Sequence, residues 1–137
     1  MNDKSVLDKY FARSPLDVTG GEVAEAEPVD DLVSFGYLRG TRERAVMLEL
    51  RKRDGNIHAV GYSWLERAEL DLSTGIILHV AGEKIRIKGR DLNSEVRPNV
   101  RLFQGIIRHR VAWIQEADHA AVMESRGKGL LVESITW

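Results

Sequence analysis

Cysteine is absent from the 137 residues of the chain. A disulfide framework, a thiolate metal site and a cysteine nucleophile are therefore excluded, and the absence suits a reducing compartment. No apolar run approaches the roughly 20 residues that cross a bilayer as a helix. The first residues also lack the long apolar core of a signal peptide. We therefore expect a cytoplasmic protein without a membrane partner.

The small net charge of −1 hides an uneven distribution. Residues 1–35 hold three basic and eight acidic side chains, residues 36–115 hold fifteen and nine, and residues 116–137 hold two and four. An excess of cations in the middle of the chain can attract a polyanion. A solvated sheet face, balanced by the acidic ends, explains the same excess. Both interpretations stay open at this point.

Glycine and proline residues, together with the apolar patterns between them, divide the chain into three parts. Residues 1–31 combine glycine, proline and clustered acidic side chains, which predicts a flexible acidic N-terminal segment. Residues 32–115 show short strand patterns and are interpreted as a β-meander or barrel domain. Residues 116–137 are expected to form a C-terminal helix, over Glu116–Arg126, and a terminal strand. The length suits about one domain.

Alternating apolar and polar residues predict a series of short strands from Arg44 onward. Asp54-Gly55 predicts a two-residue type I′ hairpin turn, in which both central residues have positive φ. A last long strand is predicted from Leu102 to Ile114. The fold class that follows is mainly β: a small, strongly bent antiparallel meander or barrel with a short C-terminal helix and a flexible N-terminal lead-in.

The segment 83–90, Glu-Lys-Ile-Arg-Ile-Lys-Gly-Arg, places apolar side chains on one face of a strand and cations on the other. A second cationic face is predicted where Arg108 and Arg110 alternate with His109. Cations on one sheet face are candidates for phosphate contact. The predicted nucleic-acid-binding residues are Arg86, Lys88, Arg90, Arg108 and Arg110.

No residue pattern points to catalysis or to a metal. The histidines at 58, 79, 109 and 119 have no second ligand at a metal-binding spacing, and the sequence leaves open whether they cluster in space. His109 lies on the more apolar face of its predicted strand, as a core histidine does. No serine lies in a nucleophile elbow, and no carboxylate pair stands out. We therefore expect no enzyme, no metal and no cofactor.

The meander resembles the Sm and Sm-like proteins, which are small bent five-stranded barrels that form rings and bind RNA. Gly55, Gly61 and Leu70-Asp71-Leu72 fall at places similar to the first motif of that family. Ile87-Lys88-Gly89-Arg90-Asp91-Leu92 is similar to its second motif. The resemblance covers residues 44–92 and implies a ring-forming barrel and an RNA ligand.

Two functions from different classes follow. The first is a small β-barrel module, similar to the Sm-like proteins, that self-associates through its edge strands and binds RNA or DNA through the cationic strand face. The second is a structural or adaptor domain that binds a protein partner and no nucleic acid. Salt-dependent binding to RNA or DNA distinguishes them.

Overall fold

A computed structural model describes residues 29–40 and 44–137. The strands are β1 (Val29–Asp31), β2 (Phe35–Leu38), β3 (Met47–Arg51), β4 (Ile57–Gly61), β5 (Leu65–Asp71), β6 (Gly75–Val80), β7 (Glu83–Arg90), β8 (Val111–Gln115) and β9 (Leu131–Thr136). The helices are α1 (Leu102–Ile107) and α2 (His119–Ser125), and a 3₁₀ turn (Tyr62–Trp64) joins β4 to β5. The prediction of a mainly β protein with a short C-terminal helix is confirmed. The predicted flexible segment lies outside the described residues, except for β1.

The strands of the described residues form two open sheets. Of the two predicted forms, meander or barrel, the strands β5, β6 and β7 form a meander, and no barrel closes. Sheet I has the order β1-β2-β8-β3-β4, and sheet II has the order β5-β6-β7-β9. Every neighbouring pair is antiparallel except β3 and β8, which run parallel. A barrel does not close because β7 pairs with β9, while β8 takes the place between β2 and β3. Each sheet therefore keeps two edges.

The hairpin turn at Asp54-Gly55 has a different geometry from the one predicted. Gly55 has a positive φ of 99°, as predicted, but Asp54 does not. Lys52 N–H donates to Asn56 O and Gly55 N–H donates to Lys52 O, which is a three-residue loop with a glycine bulge rather than a type I′ turn. The two-residue turn with positive φ at both positions lies between β6 and β7, at Ala81 (50°) and Gly82 (82°).

The predicted long strand over Leu102–Ile114 is also wrong, because its first half is helix α1 and only its second half is strand β8. Leu102 and Ile106 are four residues apart and both fully buried, which is the spacing of one helix face. His109, with a φ of 59°, turns the chain from α1 into β8. His109 is therefore a turn residue, and its ring stacks on Tyr62 at 4.5 Å between centroids.

Both sheets contribute to one contiguous apolar cluster. Sheet II provides buried residues of β6, β7 and β9, and sheet I provides buried residues of β2, β3 and β8. Fully buried members include Phe35, Leu50, Ile85, Ile87 and Ile114. Because Ile85 and Ile87 face this core, Arg86, which lies between them on β7, faces outward.

The C-terminal region begins with a buried carboxylate rather than with helix. Glu116 is 5% exposed and accepts hydrogen bonds from the backbone N–H of Arg53 at 2.9 Å and of Ile135 at 2.7 Å. Helix α2 then begins at His119, and the side chain of its N-cap residue Asp118 accepts from Ala121 N–H at 2.8 Å. No helix of the described residues is long and apolar enough to cross a membrane.

Candidate nucleic-acid interface

The five predicted cations do not share one surface. Arg86, Lys88 and Arg90 lie on β7 of sheet II, whereas Arg108 and Arg110 lie between α1 and β8, which belongs to sheet I. Arg86, Lys88 and Arg108 are exposed. The other two are half-buried and hydrogen-bonded to backbone carbonyl groups. The two groups therefore form separate candidate surfaces.

The β7 cations form a straight row, which we call the β7 row and define as Lys84, Arg86 and Lys88. All three are exposed, and they alternate with Ile85 and Ile87, which are fully buried. Because two residues advance a strand by about 6.7 Å, neighbouring charges of the row have that spacing at the level of the backbone. Lys84 was missing from the prediction, although the same alternation identifies it.

The neighbours of the β7 row on strand β9 are hydroxyl groups. Thr136 pairs with Arg86 and Ser134 pairs with Lys88 in the register of the two strands. Among the described residues, no side chain of the row has an ion pair or hydrogen-bond partner within reach. Cations beside serine and threonine hydroxyls are the groups with which proteins contact phosphate oxygens.

On the same face of sheet II, edge strand β5 carries a carboxylate that already has a cationic partner. Glu69 on β5 accepts from Arg67 at 2.7 Å and lies 3.8 Å from His79 Nε2. The hydrogen bond from Arg67 is the main reason that the pKa of Glu69 is lowered. Glu69 pairs with Ile77, which pairs with Arg86, so two strand spacings of about 4.8 Å separate its backbone from the row.

Arg90, in contrast, stabilises the fold. Its guanidinium donates to the carbonyl oxygens of Gly129 at 3.0 Å and Lys128 at 3.1 Å, and to Ser125 Oγ at 2.7 Å. A strand irregularity between Lys88 and Gly89 precedes it, so the simple alternation ends there. Arg90 therefore fixes the segment after α2 against β7, and its Nε and Nη2 donors are occupied.

Arg108 and Arg110 line a separate cavity of about 350 Å³ together with Arg39 and Tyr37. Arg97 lines an adjoining cavity, which Arg39 also borders. The guanidinium of Arg110 donates to the carbonyl oxygens of Leu38 and Gly40, and Arg39, Arg97 and Arg110 all have further interaction partners. The sequence prediction missed Arg39 and Arg97, because only the fold brings β2 and the loop before α1 beside them.

The four histidines do not form a metal site. His58 hydrogen-bonds Glu83 at 3.0 Å and stacks on Trp137 at 4.8 Å between centroids, while His79 lies beside Glu69. No group of three or more potential ligands is close enough to hold a metal ion in the part of the chain that the structure describes. His58, His79 and His109 instead contact a carboxylate, an aromatic ring or both, and His119 lies exposed on α2.

No protein-family model, curated protein or solved structure matches the chain.

Proposed function

We propose that this protein is a non-enzymatic module that binds the phosphate backbone of a nucleic acid through the β7 row. The observation that carries the proposal is the line of three exposed cations without ion-pair partners among the described residues, with the hydroxyls of Ser134 and Thr136 beside them. Other arginines use their donors inside the protein: Arg51, Arg53, Arg67, Arg90, Arg101 and Arg110. Arg86 is available to a ligand.

The chemistry of this face favours backbone contact over base reading. Lysine, arginine and hydroxyl groups bind phosphate oxygens without regard to sequence. The outward residues of β7 and β9 include no aromatic ring on which a base could stack. We therefore expect binding that depends on charge and strand length but little on sequence. The resemblance to Sm-like proteins agrees with an RNA ligand, but the proposal does not depend on a barrel.

A salt titration with fluorescently labelled single-stranded RNA tests the proposal. Three neutralised phosphates give a slope of about −2 in log affinity against log salt for a single strand. The variant Arg86→Ser with Lys88→Ser is expected to weaken binding and to reduce the slope to about −0.7. The same experiment with DNA determines whether the sugar matters.

The matched control removes two cations away from the β7 row, Arg97→Ser with Arg108→Ser, one from each of the two adjoining cavities. It should keep the affinity and slope of the unchanged protein. Loss of binding in the control alone would overturn the assignment to the β7 row. No anisotropy change at low salt up to about 100 μM, which is weaker than ordinary non-specific binding, would reject nucleic-acid binding.

The alternative is an adaptor domain that binds protein and no nucleic acid. It is supported by the exposed apolar side chains of Val46, Met47, Ile57 and Trp64, which lie in or next to β3 and β4. Exposed apolar patches on soluble proteins mark interaction surfaces. If the protein binds neither RNA nor DNA at low salt, the adaptor function is favoured.

A further inference from the structure

Strand β4 differs from the other edge strands of the two sheets. Edge strands are usually protected by charges, prolines or bulges, since their free N–H and C=O groups can pair with another chain. The sequence of β1 contains two aspartates, β5 contains four charged residues, and β9 contains Glu133 and an irregular register. Strand β4, Ile-His-Ala-Val-Gly, has no Lys, Arg, Asp, Glu or Pro, and its register with β3 is regular.

The hydrogen bonds that flank β4 determine which of its backbone groups are free. Lys52 N–H donates to Asn56 O at 2.8 Å, and Tyr62 N–H donates to Val46 O at 2.9 Å. Because such pairs alternate along an antiparallel ladder, the even-numbered residues His58 and Val60 bond to β3. The N–H and C=O groups of Ile57 and Ala59, and the N–H of Gly61, therefore point away from the sheet.

We propose that β4 pairs with β4 of a second copy of this chain, antiparallel across a two-fold axis at Ala59, and joins two copies of sheet I into one continuous sheet. Ala59 N–H then donates to Ala59 O of the second copy, and Gly61 N–H donates to Ile57 O, in both directions. The arrangement is isologous, so it closes at two subunits. This inference is independent of the proposed function.

In this register, the side chains around β4 of one subunit are complementary in shape to those of the second subunit. Pairing Ala59 with its copy places Ile57 opposite Gly61 of the other subunit. Trp64 covers that glycine, because a Cβ at Gly61 would lie 3.1 Å from Trp64 Cδ1. Ile57 and Trp64, which are 58% and 65% exposed, would thus pack on each other twice. A large residue opposite a glycine on a sheet face is a stabilising cross-strand pair.

Charge complementarity supports two parts of the proposal. The strand that pairs with β4 belongs to a second copy of the chain, and the two strands run antiparallel. Lys52, Arg53 and the exposed Asp54 precede β4 and together carry a net charge of +1, and the exposed carboxylate of Glu66 follows β4. Arg53 also donates to the carbonyl oxygens of Ala117 and Glu133 of its own chain. A two-fold axis through β4 brings the cationic end of one strand toward the anionic end of the other. A parallel arrangement would bring like charges together.

The approach to this edge is open. A cavity of about 480 Å³ runs along β4, and its far side is the turn at Ala81-Gly82 between β6 and β7. Small residues at that turn leave room beside Ala59. No other strand of the described residues pairs with β4 on this side.

The absence of cysteine makes a crosslinking test direct. Ala59→Cys places one thiol per chain at the two-fold axis, where paired Cα atoms are about 5.5 Å apart, within disulfide range. Mild oxidation of the full chain should give a disulfide-linked dimer. Ser73→Cys, in the exposed β5–β6 turn, is the control. Equal crosslinking of both variants would overturn the proposal.

Sedimentation provides the second measurement. The unchanged chain at about 100 μM, where a dimer with a micromolar Kd is mostly associated, should sediment at twice 15.5 kDa. Ala59→Lys places like charges together at the axis and should weaken dimerisation at least tenfold, while Ser73→Lys should not. A monomeric unchanged chain, or a dimer that tolerates Ala59→Lys, would contradict the proposal.

Discussion

The buried hydroxyl of Tyr62 donates a 2.6 Å hydrogen bond to the carbonyl oxygen of Val111. The bond joins the 3₁₀ turn that leads from sheet I to sheet II with the first residue of β8. Burial raises the pKa of Tyr62, so its hydroxyl stays protonated and a donor at neutral pH. One side chain thus fixes the point at which the chain passes from one sheet to the other.

Tyr62→Phe is expected to lower the free energy of unfolding by about 1–2 kcal/mol, because the Val111 carbonyl loses a buried donor. Tyr37→Phe is the matched control, since its hydroxyl bonds Asn99 O at 3.4 Å in an exposed position. Urea denaturation of both variants provides the comparison. Equal effects of the two substitutions would contradict a special role for the Tyr62 bond.

Gly75 and Gly55 allow backbone strain to be separated from steric overlap. Both have a positive φ, 96° and 99° respectively, so alanine should cost about 1–3 kcal/mol at either position. A Cβ at Gly75 would also overlap the carbonyl oxygen of Ile87, whereas a Cβ at Gly55 meets nothing within 4 Å. We expect Gly75→Ala to cost about 1–3 kcal/mol more than Gly55→Ala, as overpacking does. Thermal melts that rank the two variants in the opposite order would refute this explanation.

Replacement of Arg90 should affect stability, and replacement of Lys88 should not. Arg90→Ser removes three hydrogen bonds to the segment 125–129 and is expected to cost about 1–2 kcal/mol. Lys88→Ser removes an exposed charge and should stay within about 0.5 kcal/mol. Limited proteolysis after α2 should also be faster in Arg90→Ser. If both melting temperatures are unchanged, Arg90 does not hold that segment.

The turn between β5 and β6 should weaken in acid. The hydroxyl and N–H of Ser73 and the N–H of Thr74 donate to the Asp71 carboxylate and lower its pKa. A lowered pKa in the folded protein means that the stabilisation is complete above the unfolded value of about 4 and is lost as the pH falls through the folded value. The melting temperature of Asp71→Ala should therefore lie below that of the unchanged protein at pH 6 and approach it as the pH falls through the lowered pKa of Asp71. The exposed Glu124→Ala is the control, and a difference that grows in acid would contradict the prediction.

The part of the fold that could be predicted from the sequence is the part made of local pairings. Strands β5, β6 and β7 follow one another as hairpins, and their alternation and turn residues are visible in the sequence. The pairing of β8 with β3, and of β9 with β7, depends on residues far apart in the chain and has no local signal. Helix α1 was missed for another reason: the run from Leu102 to Ile107 fits the period of a helix as well as that of a strand.

The same distinction applies to the candidate site. The outward positions of Arg86 and Lys88 follow from alternation with Ile85 and Ile87, and the structure has both cations exposed. The hydrogen bonds of Arg90 to residues 125–129 depend on the tertiary fold, so the sequence could not separate this arginine from its neighbours. The nearby hydroxyls of β9 could not be predicted either, because they depend on the long-range pairing with β7.

The position of β8 has a consequence for how the chain folds during synthesis. Strands β2 and β3 do not touch through their own ladder, since β8 lies between them in sheet I. At about 5–20 residues per second, the ribosome needs several seconds to extend the chain from residue 51 to residue 115. During that time Leu48 and Leu50 lack one of their two strand neighbours, and the hairpins β5–β6 and β6–β7 of sheet II are synthesised before β8 is. Assembly of sheet I is therefore a late step with a large loop to close, and a nascent chain that stalls before Val111 presents an unpaired β3 to chaperones and to other nascent chains.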